Sequence, residues 1–124
     1  MLSNETLKRQ LKFNLEKTDL NIGKKYEGKV RDNYLLGNKR IIITTDRISA
    51  FDRVLCTLPF KGQVLNQTSA FWFKKTKNIV KNHVIGVPDP NVMFVRECTD
   101  IVQKKTLKMR LKHDPGQFFI GICL

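Results

Sequence analysis

Seven consecutive positions, Asp46-Arg47-Ile48-Ser49-Ala50-Phe51-Asp52, hold two carboxylates, a guanidinium and a hydroxyl directly after the apolar run Ile41-Ile42-Ile43. Read as a loop at a strand end, this is a place where binding groups tend to be built. Upstream, Gly28-Lys29-Val30-Arg31-Asp32 sets two cations one residue apart, so that they would share one face of a strand, beside a glycine that lets backbone approach a ligand. Downstream, Lys61-Gly62-Gln63-Val64-Leu65-Asn66-Gln67 supplies a third polar motif. Cations, a hydroxyl and carboxylates spaced between short apolar runs suit a cleft that binds phosphates.

The elements that must carry these motifs are legible from periodicity. Leu7, Leu11 and Leu15 recur every four residues, one stripe of a helix that Ser3 or Asn4 would cap and that would pack on the sheet edge. From Tyr26 the period becomes two, with Tyr26, Gly28, Val30, Tyr34 and Leu36 on one face of a single half-buried strand and Lys29, Arg31 and Asn33 on the other. Gly37-Asn38 tolerates positive φ and predicts a tight hairpin into a strand over 40–45. Further strands are expected over 54–58, 84–87 and 91–98, and a helix over 63–75 with Phe71, Trp72 and Phe73 in the core. The sum is an α+β domain with a mainly antiparallel sheet and flanking helices.

The chain has 124 residues and 41% apolar content, enough for one modest core. Its longest apolar runs fall far short of the roughly 20 residues that span a bilayer, so no membrane crossing is expected. Residues 1–15 lack the apolar core of a secretory signal, and cytoplasmic residence is the expectation. Cys56, Cys98 and Cys123 form no close pair and read as small buried hydrophobes; His83 and His113 read as surface residues, and no metal-ligating set is expected. A net charge of +12 draws polyanions, either phosphorylated metabolites or nucleic acid. The lysines at 74–81 and 104–112 read as a solvated face, because no aromatic residues are interleaved with them for base stacking; the alternative is a basic nucleic-acid-binding module.

In this order and at these separations, GKVRDNY, TTDRISAFD and KGQVLNQTSAFWF over residues 26–73 resemble the N-terminal half of the phosphoribosylaminoimidazole-succinocarboxamide synthase family, the SAICAR synthetases of purine biosynthesis. A looser continuation, GVPDPNVMFVREC, reaches residue 98. The family's later arginine-glycine segment and its second-lobe aspartate-lysine-phenylalanine-glutamate motif have no counterpart in this sequence. The resemblance therefore implies a truncated or frame-altered member, with 1–98 as the kinase-like ATP-binding lobe and 99–124 as a divergent basic and apolar tail.

What the resemblance implies about chemistry is an ATP- and magnesium-dependent ligase that joins the amine of L-aspartate to the carboxylate of carboxyaminoimidazole ribotide. Nucleic acid is not an expected partner; a companion chain or an oligomer would supply what one lobe lacks. On this sequence, Gly28, Lys29, Val30 and Arg31 become the candidates for the ATP phosphates, as in a glycine-rich hairpin over a nucleotide. Arg47, Ser49, Asp52 and Lys61 become the candidates for the ribotide and aspartate. Asp46 or Asp52 is open to a magnesium role, and Asp46 equally to capping backbone amides. Asn66 and Gln67 are candidates for fixing the helix start.

Overall fold

The computed structural model describes residues 3–98. Calls that fall on 99–124, including the tail, its lysines, His113 and Cys123, lie outside the described residues.

Five strands form one antiparallel sheet in the order β1 (Lys24–Glu27), β2 (Arg31–Leu36), β3 (Lys39–Thr44), β7 (Val92–Arg96) and β6 (Val84–Asp89). A separate two-stranded hairpin pairs β4 (Arg47–Ala50) with β5 (Arg53–Thr57), and the helix α2 (Lys61–Lys75) lies against β3 and β7. The apolar core is small: Tyr34, Ile43, Met93 and Val95 are buried. Polar side chains are buried with them, among them Asp32, Thr45, Asp46, Arg47, Asn66 and Asn91. Burying such groups costs free energy unless they are hydrogen-bonded, and much of what joins the elements is this polar bonding.

The hairpin at Gly37-Asn38 forms as its residues require, with Gly37 at φ +60° and Leu36 paired with Lys39. The single strand expected from Tyr26 to Leu36 is instead two strands. Gly28 donates its amide to the Arg31 carbonyl at 2.7 Å, the chain turns through residues 28–30, and β1 runs back along β2 with Glu27 opposite Asp32. Lys29 thus sits in a turn and does not share a strand face with Arg31. The stretch 46–52 is likewise no open loop. Its residues 47–50 are β4, and Phe51 and Asp52 form a two-residue turn with φ of 49° and 65°.

Two packing expectations are corrected. The N-terminal helix α1 (Asn4–Gln10) is capped by Ser3, whose hydroxyl accepts the Thr6 amide at 3.2 Å, but none of its residues is buried. It ends before Leu15 joins the stripe, and the segment that follows is fastened by polar bonds instead: Leu15 and Asp46 exchange two bonds of 2.8 Å, and Leu20 donates its amide to the Tyr34 hydroxyl at 3.1 Å. In α2 the buried residues are Gly62 and Asn66, while Phe71 and Trp72 are 52% and 55% exposed, so these two rings are not core. Cys56 and Cys98 are exposed as well; Cys56 lies on β5, whose residues 53–56 are all exposed. His83 is partly buried, edge-on to the Phe73 ring at 5.4 Å between centroids. Among the described residues no helix is long and apolar enough to cross a membrane.

Candidate functional site

The first motif becomes the β1–β2 turn and the second becomes β4 with its turn. These two hairpins meet. Arg47, at the start of β4, donates from Nη2 to the Asp32 carboxylate at 2.8 Å and to the Gly28 carbonyl at 3.0 Å, and its Nη1 reaches Glu27 at 3.4 Å. The guanidinium therefore holds the loop of one hairpin from the strand of the other. At the tips, the Lys29 ammonium donates to the Asp52 carboxylate.

Asp32 anchors this arrangement. It is completely buried, and it accepts the Thr18 amide at 2.7 Å and the Thr18 hydroxyl at 2.8 Å in addition to Arg47. Burial pushes its carboxyl up, but the two Thr18 donors and the Arg47 guanidinium outweigh that and hold it below its ordinary 3.8. At the exposed tip the hydrogen bond and charge of Lys29 lower the Asp52 carboxyl too. Lys17 and Glu27, joined at 2.9 Å, favour each other's charged forms: the Lys17 pKa rises and the Glu27 pKa falls. Arg47 Nε is buried with no hydrogen-bond partner.

An open groove of about 550 Å³ runs beside these contacts, lined by Asn14, Glu16, Lys17, Glu27, Gly28, Lys29, Arg47 and Val54. Three cations and two carboxylates face it, with one of each consumed in the Lys17–Glu27 pair.

The third motif sits beneath. Lys61 Nζ donates to the Arg47 carbonyl at 2.8 Å, tying the helix start to β4. Asp46 accepts the Gly62 amide at 2.9 Å and the Leu15 amide at 2.8 Å, capping α2 from a distance, since Phe60 at the N-cap offers no side-chain bond. Both Asp46 oxygens are thus engaged in backbone capping. Asn66 donates to the Pro90 carbonyl at 2.9 Å, and Gln67 is exposed.

Of the candidate residues, Gly28, Lys29, Arg47 and Asp52 are brought together at the hairpin tips and groove, with Lys61 behind Arg47. Val30 has its carbonyl taken by the Thr45 amide and hydroxyl at 3.1 and 2.9 Å. Arg31 pairs with Thr44, and strand alternation puts it on the face opposite Asp32. Ser49 is opposite Val54, beside a bulge between Ile48 and Ser49. The structure adds Lys17, Glu27 and the Asp32 anchor, which the motif reading passed over. A carboxylate at 32, two residues before a buried tyrosine in a strand, was the available signal, because a charge there demands a partner.

A family model described as SAICAR synthetase matches residues 24–103. The chain belongs to the SAICAR synthetase family. A phosphoribosylaminoimidazole-succinocarboxamide synthase of Legionella pneumophila (strain Lens) is 60% identical over 86 residues, covering 69% of this chain and 28% of that protein. The chloroplastic synthase of Vigna aconitifolia is 51% identical over 86 residues, covering 69% and 25%. Among solved structures, a Saccharomyces cerevisiae SAICAR synthase complexed with SAICAR superposes with a TM-score of 0.63 at 26% identity, over 80% of this chain and 45% of that one. A type-2 SAICAR synthetase in complex with ADP gives 0.55 at 27%, over 73% and 44%. The chain thus spans about a quarter of the length of these curated relatives. The antiparallel sheet with its helices is the corresponding part of the SAICAR synthetase fold.

Proposed function

We propose that residues 1–98 are the phosphate-facing lobe of a SAICAR synthetase. In that reaction a carboxylate oxygen of carboxyaminoimidazole ribotide attacks the terminal phosphorus of ATP and ADP departs. The amine of L-aspartate then attacks the acyl phosphate carbon, expelling phosphate and giving up a proton. Every participant is an anion, so fixed positive charge must offset their repulsion. The observation that carries this reading is the convergence of the first two motifs: Lys29 at one hairpin tip, Asp52 at the other, and Arg47 bonded to the Gly28 carbonyl between them.

Lys29 is the phosphate contact, on the turn that Gly28 and Val30 shape, with Arg31 contributing charge from the start of β2, directly after that turn. Arg47 and Lys61 act as positioning residues that fix the loop, and Ser49 and Asp52 lie toward the ribotide and aspartate. The described residues hold no grouping of three His, Cys, Asp or Glu that would cage a metal, and Asp32 and Asp46 are engaged elsewhere. Magnesium would arrive with the ATP phosphates, its usual mode of binding, with Asp52 the carboxylate nearest the tip.

The test is to mix the purified chain with ATP, magnesium, L-aspartate and the ribotide, and to assay ADP and the succinocarboxamide product. Product, or magnesium-ATP binding that Lys29→Met weakens about tenfold, supports the reading. ATP binding no better than that of inorganic phosphate, together with nucleic-acid binding that falls steeply with salt, would replace it by the basic-module alternative.

A further inference from the structure

We propose that Asp52 is a built-in anion that occupies Lys29 in the ligand-free protein, so that the two hairpin tips form a latch which a ligand's phosphates must open. This rests on the reading of Lys29 as the phosphate contact and names what regulates that contact. The Lys29 ammonium, which lines the groove, bonds to the Asp52 carboxylate from the neighbouring hairpin. A carboxylate is chemically the closest stand-in that a protein side chain offers for a phosphate oxygen.

The turn that presents Asp52 is built for this. It has two residues, both at positive φ, and the second is aspartate, which tolerates that region; the first, Phe51, does not, being bulky, and its ring is 100% exposed. Nothing is gained by burying Phe51, so the tip's position is not set by packing of that ring. The bulge between Ile48 and Ser49 lies midway along the same hairpin, two residue pairs from its tip, where the strand can bend. Both partners are largely exposed, Lys29 at 55% and Asp52 at 86%, so the pair is weak enough for a polyphosphate to displace.

A latch that closes on the binding group lowers apparent affinity by the fraction of molecules that are open. For an exposed pair this amounts to about threefold. Removing the carboxylate should therefore tighten anion binding, and only through Lys29.

The experiment measures the affinity of the full chain for magnesium-free inorganic triphosphate by calorimetry, in wild type, Asp52→Asn, Lys29→Met and the double variant. Asparagine keeps the turn, since it too tolerates positive φ, and omitting magnesium removes any role of Asp52 toward the metal. The expected result is a gain of about threefold in Asp52→Asn, a loss in Lys29→Met, and no further change on adding Asp52→Asn to Lys29→Met. Unchanged or weaker binding in Asp52→Asn overturns the latch while leaving Lys29 as a phosphate contact. An equal gain in both backgrounds overturns it too, since that is a general field effect. Wild-type affinity in Lys29→Met removes the phosphate reading and the latch together.

Discussion

Arg47 does more for this molecule than its place in a seven-residue polar cluster suggests, because its partner Asp32 is fully buried and shared with Thr18. Breaking a buried pair from one side leaves an uncompensated charge, so Arg47→Met should cost on the order of 3–5 kcal/mol, read from urea unfolding. Arg47→Met with Asp32→Asn should cost less than the sum of the two single changes. The same environment sets an acid limit. The Asp32 carboxyl sits below 3.8, so its contribution is present above that value and is lost as pH falls through the folded value. His83 acts at higher pH: burial, then the nearby Arg40 charge, lowers its imidazole from 6.5. The unfolded chain takes up this proton before the folded one does, and stability declines as pH falls below 6.5 toward the folded value. Urea midpoints at about pH 7.5 and about pH 5 should differ less in His83→Phe than in wild type.

Between elements, close backbone approach matters more than apolar packing. Gly62 in the first turn of α2 shows this: a Cβ there would meet the Thr44 carbonyl oxygen at 2.3 Å and Asn91 Nδ2 at 2.7 Å. Gly62→Ala should therefore destabilise by about 3 kcal/mol, seen as a lowered urea midpoint with an unchanged slope, although alanine is the better helix former. Much at this scale was legible in the sequence. The turn at Gly37-Asn38, the strands on either side of it and the helix after Lys61 follow from local chemistry that the fold does not override. The split of 26–36 into β1 and β2 was not legible, because apolar alternation continues in register across Gly28 and Val30 and only the Gly28–Arg31 bond reveals the turn. The Phe51-Asp52 turn contains no glycine and so gave no turn signal, which is why β4 and β5 read as a loop and a strand. The meeting of the two tips, and with it the partner of Lys29, is a tertiary fact that no local pattern encodes.

Across the whole molecule, strong positive charge is combined with exposed apolar side chains, and these two properties pull in opposite directions. The net charge is +12, while Phe71 and Trp72 stand half exposed on α2, edge to face at 5.3 Å, with Val64 at 61% and Ile79 at 81% exposure near by in sequence. Helical spacing had placed the two rings in the core; periodicity shows that a helix has an apolar face, not which element covers it. Exposed apolar surface of this kind favours association, and like-charge repulsion between copies opposes it. Added salt screens the repulsion, with a Debye length near 10 Å at about 0.1 M and near 3 Å at about 1 M, yet leaves the apolar attraction in place. Sedimentation of the full chain should therefore show self-association that increases with sodium chloride. Phe71→Ser with Trp72→Ser should abolish that rise while changing unfolding stability by no more than about 1 kcal/mol, because both rings are half exposed and lie outside the core. Association that weakens with salt, or a double variant that loses most of its stability, would show instead that charge pairing or core packing governs this face. Because Trp72 is the single tryptophan, its emission gives an independent check: acrylamide should quench it readily in low salt and less so where the chains associate.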